Sequence, residues 1–229
     1  MMYACVCGKS NDMKKINDRN EKIKNIDFLI KQNEITIYTE RVEMQSLNQH
    51  AEDFLIEKYT GLLQSPENIA LFCEGEPWTT CQIKTLIRNE MQKWNEGNRF
   101  CIFSVHDSKT KKIMGSLHIS HALQEYAAIG IHGHENVAEI GYILDSEFWG
   151  KGYGTEIAMM GLEYVKHIIG KYTDAEFKEL PIPKEAIATV HPLNEGSKRI
   201  LQKIFAYQEP VEFIKYNGQP RLLFFTPLV

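Results

Sequence analysis

The feature that most constrains the fold is the stretch from Ala138 to Tyr164, where an apolar run, three spaced glycines and an amphipathic segment follow one another. Ala138 to Leu144 is short and contains β-branched and aromatic residues, which predicts a strand. From Ile157 onward apolar residues recur at helical spacing, and Thr155 and Glu156 suit a first helical turn. The stretch therefore predicts a strand, a glycine turn and a helix in direct succession.

The predicted turn contains Gly150, Gly152 and Gly154. Backbone N–H groups at a helix N-terminus bind anions, and glycines let a phosphate oxygen approach those donors closely. The predicted ligand is therefore a phosphate or pyrophosphate. Glycines after a strand also occur where the chain only has to turn, and that is the alternative interpretation. The dinucleotide-binding fingerprint is excluded, because Ile157 stands where its third glycine is required.

The residues around these glycines closely resemble the acetyl-CoA pyrophosphate loop of the GCN5-related N-acetyltransferase (GNAT) family. Within it they look most like the branch that includes ribosomal-protein N-terminal acetyltransferases. The resembling segments are EIGY at 139–142 and FWGKGYGTE at 148–156. The resemblance implies acetyl-CoA as co-substrate, with contacts at Tyr142, Ile143, Leu144, Gly150, Lys151, Gly152, Tyr153, Gly154 and Thr155.

A second motif lies in 189–203, TVHPLNEGSKRILQK. From the residues alone, Asn194 is a candidate cap for a helix that follows it. The segment also resembles the second cofactor motif of the family, which implies that the Asn194 amide helps hold the pantetheine arm and that Lys203 lies near the cofactor. The match then departs, since Ile204-Phe205-Ala206-Tyr207 stands where family members continue with Gly-Phe.

The order of predicted elements favours a mixed α/β sheet. The segment 35–47 reads as one strand or two short ones, and 48–60 as a helix; Thr79 and Gln82 form a capping box before another helix. Strands at 99–106 and 112–120 predict a hairpin, and Asn217-Gly218 predicts a second one. The resemblance implies a GNAT-type, mostly antiparallel sheet with a splayed central strand pair, flanked by helices.

Acetyl transfer from a thioester requires a neutral amine, a stabilised oxyanion and a proton for the leaving thiolate. The resemblance implies Glu139 as the base for the amine, with a surface or ion-paired carboxylate as the alternative. It implies Ser197 as the acid for the thiolate, because the ribosomal-protein branch has a serine at this motif position. A tyrosine acid, as in other branches, is not available, because Leu201 stands at its position. The backbone N–H of Tyr142 or Ile143 would bind the acetyl carbonyl. The segments 61–78 and 120–136 are expected to border the acceptor opening.

Composition narrows the class of partner. The net charge of −4 gives no electrostatic footprint for nucleic acid, and no apolar run has the length of a membrane span. Five cysteines at irregular spacing indicate reduced thiols and a cytoplasmic location. We expect no metal site, because His132 and His134 lie in a glycine-bounded loop without a ligand set. A homodimer is left open.

Residues 1–33 form a predicted N-terminal leader, and residues 34–229 the GNAT domain. The leader carries a charge of +3 and the remainder −7. Apolar residues at helical spacing predict a leader helix docked on the domain or on a partner, with a solvated extension as the alternative. For the whole chain, the expected function is acetyl-CoA-dependent transfer to a primary amine, of a protein N-terminus or a small molecule. The alternative is a non-catalytic acyl-CoA-binding module that serves a partner.

Overall fold

In the computed structural model, which describes residues 25–171, 181–205 and 210–228, nine strands form one sheet. The strands are β1 (Asp27–Lys31), β2 (Glu34–Tyr38), β3 (Val42–Ser46), β4 (Ile102–Asp107), β5 (Ile113–Leu123), β6 (Asn136–Leu144), β7 (Glu185–Val190), β8 (Val211–Lys215) and β9 (Gln219–Pro227). The helices are α1 (Glu52–Leu63), α2 (Pro66–Ile69), α3 (Thr80–Asn95), α4 (Glu125–Ala128), α5 (Tyr153–Lys171) and α6 (Glu195–Ile204), with 3₁₀ turns at Leu47–Gln49 and Ser146–Phe148.

The strands are ordered β1-β2-β3-β4-β5-β6-β7-β9-β8, and every neighbouring pair is antiparallel except β6 and β7. That parallel pair is joined only from Val137 to Glu139 on β6, although β6 continues to Leu144. Over the same length β5 stays paired with β6. The two central strands therefore separate beyond Glu139, which confirms the predicted splayed pair in a mostly antiparallel sheet.

The predicted local signals explain where several elements begin. The Thr79 hydroxyl accepts a hydrogen bond from the Gln82 N–H, and the Gln82 side chain accepts one from the Thr79 N–H, which completes the capping box of α3. The hairpin of β8 and β9 turns at Asn217 and Gly218, both with positive φ. The segment 35–47 contains two short strands, β2 from Glu34 and β3, because the chain turns between them at residues 39–42.

The first strand corrects the predicted leader. Ile30 lies in β1 and pairs with Ile35 of β2, so this part of 1–33 belongs to the sheet and is not helical. Apolar residues at helical spacing also suit the alternation of a strand when the run is short, which explains the error. The other part of the leader that carried the helix prediction, residues 1–24, lies outside the described residues, as do Ala206 and Tyr207.

Aromatic packing joins the helices to the sheet at Phe103 of β4. Its ring makes edge-to-face contacts with Trp94 of α3 and Tyr164 of α5, at centroid distances of 4.9 and 5.0 Å. All three side chains are fully buried, and the Trp94 indole donates to the Ile102 carbonyl at 2.8 Å. This core fixes α5 along β5 and β6, and so fixes the turn that precedes α5.

Candidate active site

A cleft of about 890 Å³ opens where β6 and β7 separate. One wall is the part of β6 beyond Glu139, and the opposite wall is formed by the end of β7 and by α6. The glycine turn before α5 closes one end. Side chains from the loop after α2 and from the β8–β9 hairpin line the other end, namely Phe72, Cys73, Tyr216 and Arg221.

The three glycines of the turn have different reasons to lack a side chain. Gly150 and Gly152 have φ of +73° and +83°, a conformation that other residues rarely adopt. Gly154 has no such backbone constraint; a Cβ there would lie 2.8 Å from Cδ1 of Ile200 on α6. Gly150 and Gly152 therefore shape the turn, whereas Gly154 allows α6 to pack against the start of α5.

The turn leaves donors free at the start of α5. The first hydrogen bond of the helix runs from the Glu156 N–H to the Gly152 carbonyl at 3.3 Å. Within the described chain, no acceptor is found for the N–H groups of residues 152–155. Such groups, together with the positive end of the helix dipole, bind phosphate. These residues therefore fit the pyrophosphate of acetyl-CoA. When it is bound, acetyl-CoA supplies an activated acetyl thioester.

A buried carboxylate ties this turn to the β2–β3 loop. Glu156 on the first turn of α5 is 5% exposed, and its oxygens accept hydrogen bonds from Arg41 Nε at 2.9 Å and from the Thr39 hydroxyl at 2.6 Å. The Arg41 guanidinium also donates to the Lys151 carbonyl at 3.2 Å and lies over the Tyr153 ring. Arg41 thus fixes the turn through both a side chain and the backbone.

Most of the predicted cofactor residues line the cleft. The lining includes Tyr142, Ile143, Leu144, Gly150, Gly152, Gly154, Thr155, Asn194 and Lys203. Lys151 and Tyr153 are outside it: the Lys151 ammonium donates to the Glu147 carbonyl at 2.7 Å, and the Tyr153 hydroxyl donates to Asp107 at 3.3 Å. With these side chains engaged elsewhere, Lys151 and Tyr153 would contact a phosphate through their backbone N–H groups.

On the opposite wall, Asn194 caps α6 as its position predicts. Its side-chain oxygen accepts a hydrogen bond from the Ser197 N–H at 3.0 Å. The Ser197 hydroxyl reaches across the cleft to the Tyr142 hydroxyl, 2.7 Å away. Burial raises the pKa of Tyr142 to about 12, against the opposing effect of the bond with Ser197. Both hydroxyls therefore carry protons at neutral pH.

Glu139, the predicted base, lines the cleft in an ion pair. Its carboxylate oxygens accept hydrogen bonds from the Lys215 ammonium at 2.9 and 3.0 Å, and one accepts from the Thr189 hydroxyl at 3.4 Å. Lys215 also donates to the Tyr126 hydroxyl at 3.0 Å. Glu139 must exchange one of these bonds before it accepts a proton from an amine.

The far end of the cleft contains residues that the sequence patterns did not single out. The Arg221 guanidinium donates to the Cys73 carbonyl and lies over the Tyr216 ring, 5.0 Å from its centroid. Burial raises the pKa of the Cys73 thiol to about 11, so the thiol stays protonated at neutral pH. Phe72 and Cys73 come from the predicted acceptor-wall segment 61–78, but none of residues 120–136 lines the cleft.

Two histidines of this region, His121 and His134, have separate partners. His121 Nε2 lies 2.7 Å from the Asn136 side-chain oxygen, and His134 Nδ1 lies 2.8 Å from Glu185. Across the described segments, no group of three or more His, Cys, Asp or Glu side chains is arranged to hold a metal ion.

No helix of the described segments combines the length and the apolar character that a membrane span requires.

The comparisons with known proteins all indicate the same class of protein. The profile of the family described as "Acetyltransferase (GNAT) domain" matches residues 41–204. The fold is similar to that of a GNAT-family acetyltransferase from Bacillus anthracis, with a TM-score of 0.60, 18% identity, and coverage of 84% of this chain and 98% of that chain. It is also similar to a ribosomal-protein-S5-alanine acetyltransferase from Vibrio fischeri (TM-score 0.56, 17% identity, 84% and 96% coverage).

A third similar structure is a spermidine N-acetyltransferase from Vibrio cholerae in complex with CoA and spermine (TM-score 0.57, 15% identity, 82% and 95% coverage). The fold, the cleft and the family profile together define an acyltransferase. The profile spans most of the chain, and the chain belongs to the GNAT acetyltransferase family. The family predicted from the glycine turn and its flanking residues is thereby confirmed.

Proposed function

We propose that this protein transfers the acetyl group of acetyl-CoA to a primary amine, of a protein N-terminus or a small molecule, by direct attack on the thioester. The observation that carries the proposal is the joining of three features in one cleft: the free N–H groups of 152–155, the unpaired edge of β6 beyond Glu139, and the Tyr142–Ser197 hydroxyl pair. In this reaction the amine nitrogen bonds the acetyl carbon, the carbon–sulfur bond breaks, the amine loses a proton and the thiolate gains one.

On the donor side, the backbone supplies most of the binding. The N–H groups at the start of α5 bind the pyrophosphate. Between β6 and β7, unpaired strand backbone binds the pantetheine amides in the manner of an added strand. The Asn194 amide contributes from the opposite wall, since its oxygen caps α6 and its nitrogen makes no hydrogen bond with the described chain. The backbone N–H of Tyr142 or Ile143 binds the acetyl carbonyl.

The two proton transfers fall to side chains on opposite walls. Glu139 takes the proton of the amine, directly or through water, after an oxygen exchanges its bond from Lys215. Ser197 gives a proton to the leaving thiolate and recovers one from Tyr142, whose hydroxyl lies 2.7 Å away, and Tyr142 takes a proton from solvent as the products leave. The hydroxyl pair thus places a proton source between the β6 wall and the α6 wall of the cleft.

The test measures thiol release from acetyl-CoA with a panel of amines and N-terminal peptides, alongside acetyl-CoA binding by calorimetry. Turnover on an amine, with the N-acetylated product identified by mass spectrometry, supports the proposal. Binding of acetyl-CoA without turnover on any acceptor would overturn it. That result would favour a non-catalytic acyl-CoA-binding module, a function with which the Glu139–Lys215 ion pair is compatible.

A further inference from the structure

Arg221 is a buried cation at the end of the cleft away from the glycine turn, the acceptor end in the proposed function. Its side chain lines the cleft, and the residue is 3% exposed. Its hydrogen bonds run to the carbonyls of Pro220 and Cys73, which are uncharged acceptors. No carboxylate of the described segments forms an ion pair with it. A buried charge without a counterion is costly, so an anionic ligand at this position gains a strong interaction.

The other charges around this end do not neutralise Arg221. Glu139 is already paired with Lys215 of the same hairpin. Glu74 lies nearby on the loop after α2, but it is exposed and accepts a hydrogen bond from the Asn217 amide at 2.8 Å. The charge of Arg221 also acts on its neighbours, since burial and then Arg221 lower the pKa of His191. None of these neighbouring carboxylates therefore pairs with Arg221.

This cation lies apart from the predicted phosphate site. The glycine turn follows the end of β6 and packs against Ile200 of α6, where Arg199 and Lys203 supply the basic groups of the lining. Arg221 instead contacts Cys73 and belongs to the hairpin that carries Lys215. Its partner is therefore expected from the acceptor and not from the phosphates of the donor.

We infer that Arg221 is a binding site for an anionic group of the acceptor, so that the acetylated amine belongs to a molecule with a carboxylate near that amine. This inference rests on the proposed acetyl transfer and specifies its substrate class. Two sources share this chemistry: a free α-amino acid, and a peptide N-terminus with an acidic side chain in its first residues. A polycation such as a polyamine is disfavoured, because it would place further positive charge beside Arg221.

The competing explanation is that Arg221 only ties the β8–β9 hairpin to the loop after α2, through the Cys73 carbonyl. The two roles predict different results. If Arg221 only orders the cleft, its replacement lowers activity with every acceptor alike. If its charge binds the acceptor, its replacement lowers activity only with acceptors that carry an anion.

The experiment compares matched acceptors in pairs that differ in one charge. One arm uses free α-amino acids and their carboxamides, and a second uses peptides with Asp or Glu in the first residues and the corresponding Asn or Gln peptides. Spermidine serves as a polycationic acceptor. Each is measured for kcat/KM with the wild type, Arg221→Gln and Arg221→Lys, and acetyl-CoA binding is measured for all three proteins.

The inference requires the wild type to prefer the carboxylate member of at least one pair by about 10-fold or more. Arg221→Gln should remove that preference and leave kcat/KM for the carboxamide within about 3-fold, and Arg221→Lys should restore part of it. The arm in which the wild type shows this preference tells whether the acceptor is a free α-amino acid or a peptide N-terminus. Equal use of both members by the wild type, or an equal loss for both in Arg221→Gln, would overturn the inference while leaving the acetyl transfer intact. Absence of turnover with every acceptor despite acetyl-CoA binding would instead overturn the proposed function, and this inference with it.

Discussion

The hydroxyl groups of Tyr142 and Ser197 lie 2.7 Å apart, although the residues are on different walls of the cleft. Tyr142 extends from β6 and Ser197 from the first turn of α6, so their hydrogen bond spans the gap that the separated strands create. Ser197 is held in place because its own N–H donates to the capping oxygen of Asn194. A cap that stabilises the helix therefore also orients the proposed acid.

Replacement of either hydroxyl tests this pair. Ser197→Ala should lower kcat by about 10²-fold with little change in acetyl-CoA affinity, because the proton for the thiolate is lost. Tyr142→Phe should give a smaller loss, since Ser197 remains but has to recover its proton from water. Steady-state kinetics and calorimetry check both. Normal kinetics in a Ser197→Ala protein that is merely less stable would limit Ser197 to its place in the helix cap.

The glycine turn is tested with a substitution that has a matched control. Gly152→Ala places a Cβ at a φ of +83°, which strains the turn and displaces the N–H groups of α5. We expect acetyl-CoA affinity to fall by about 10-fold or more, measured by calorimetry on folded protein. Gly130→Ala introduces the same backbone strain at a φ of +84° away from the cleft. Equal affinities for the two variants would contradict the phosphate assignment.

Glu139 and Lys215 are best tested together. If Glu139 takes the proton of the amine, Glu139→Gln should lose about 10²-fold in kcat, and the loss should shrink at high pH as the acceptor deprotonates unaided. Lys215→Met should retain most of the rate, because it removes the ion pair but keeps the carboxylate. Rates across pH 6 to pH 9 check this. If both variants lose activity equally, the ion pair matters and a base role for Glu139 fails.

The tie between Arg41 and Glu156 should contribute to stability. Arg41→Met leaves a carboxylate that is 5% exposed without its cation, so we expect the free energy of unfolding to fall by about 1–3 kcal/mol. Urea denaturation measures the change. Arg88→Met is the control, because Arg88 and Glu52 form an exposed pair, and it should cost no more than about 0.5 kcal/mol. Comparable losses in both variants would contradict this expectation.

Stability should fall on acidification because of His118. Its Nε2 is shielded from solvent without a hydrogen-bond partner in the described chain, and burial lowers its pKa to about 4. Unfolding restores a pKa near 6.5, so the unfolded state binds the proton more tightly. The stabilisation is therefore present above pH 6.5 and is lost as the pH falls towards 4, by roughly 3 kcal/mol.

Urea denaturation at pH 4.5 and pH 7 measures this dependence in His118→Leu, which should show a weaker one. His132→Gln, at an exposed loop position, is the control and should keep the wild-type dependence. An unchanged pH dependence in His118→Leu would rule out His118 as its source.

The elements with strong local signals were predictable from the sequence. The strand, turn and helix around Gly152 depend on neighbouring residues, as do the caps at Thr79 and Asn194 and the turn at Asn217. Each signal acts within a few residues, so the sequence carries it completely. The GNAT resemblance then supplied the arrangement of the sheet, including the splayed pair.

The proposed acceptor end was not predictable, because its residues come together only through the fold. Arg221 meets Cys73 across 148 positions, and Lys215 meets Glu139 across 76. No local pattern marks such pairs, although an Arg and a Lys in one predicted hairpin would have justified a search for carboxylate partners. The strand at Ile30 was missed for a related reason: its pairing with β2 decided its conformation.

The separation of β6 from β7 also has a consequence for association between chains. Unpaired strand edges are templates for foreign strands, and proteins usually confine them to the ends of a sheet. Here two such edges lie in its middle, but the loop after α2 and the tip of the β8–β9 hairpin line the same opening and are joined through Glu74 and Asn217. A strand from another chain would meet these side chains before it reached the backbone. The edges are thus open to a slender ligand or to the end of a chain, and shielded from pairing with a strand of another sheet.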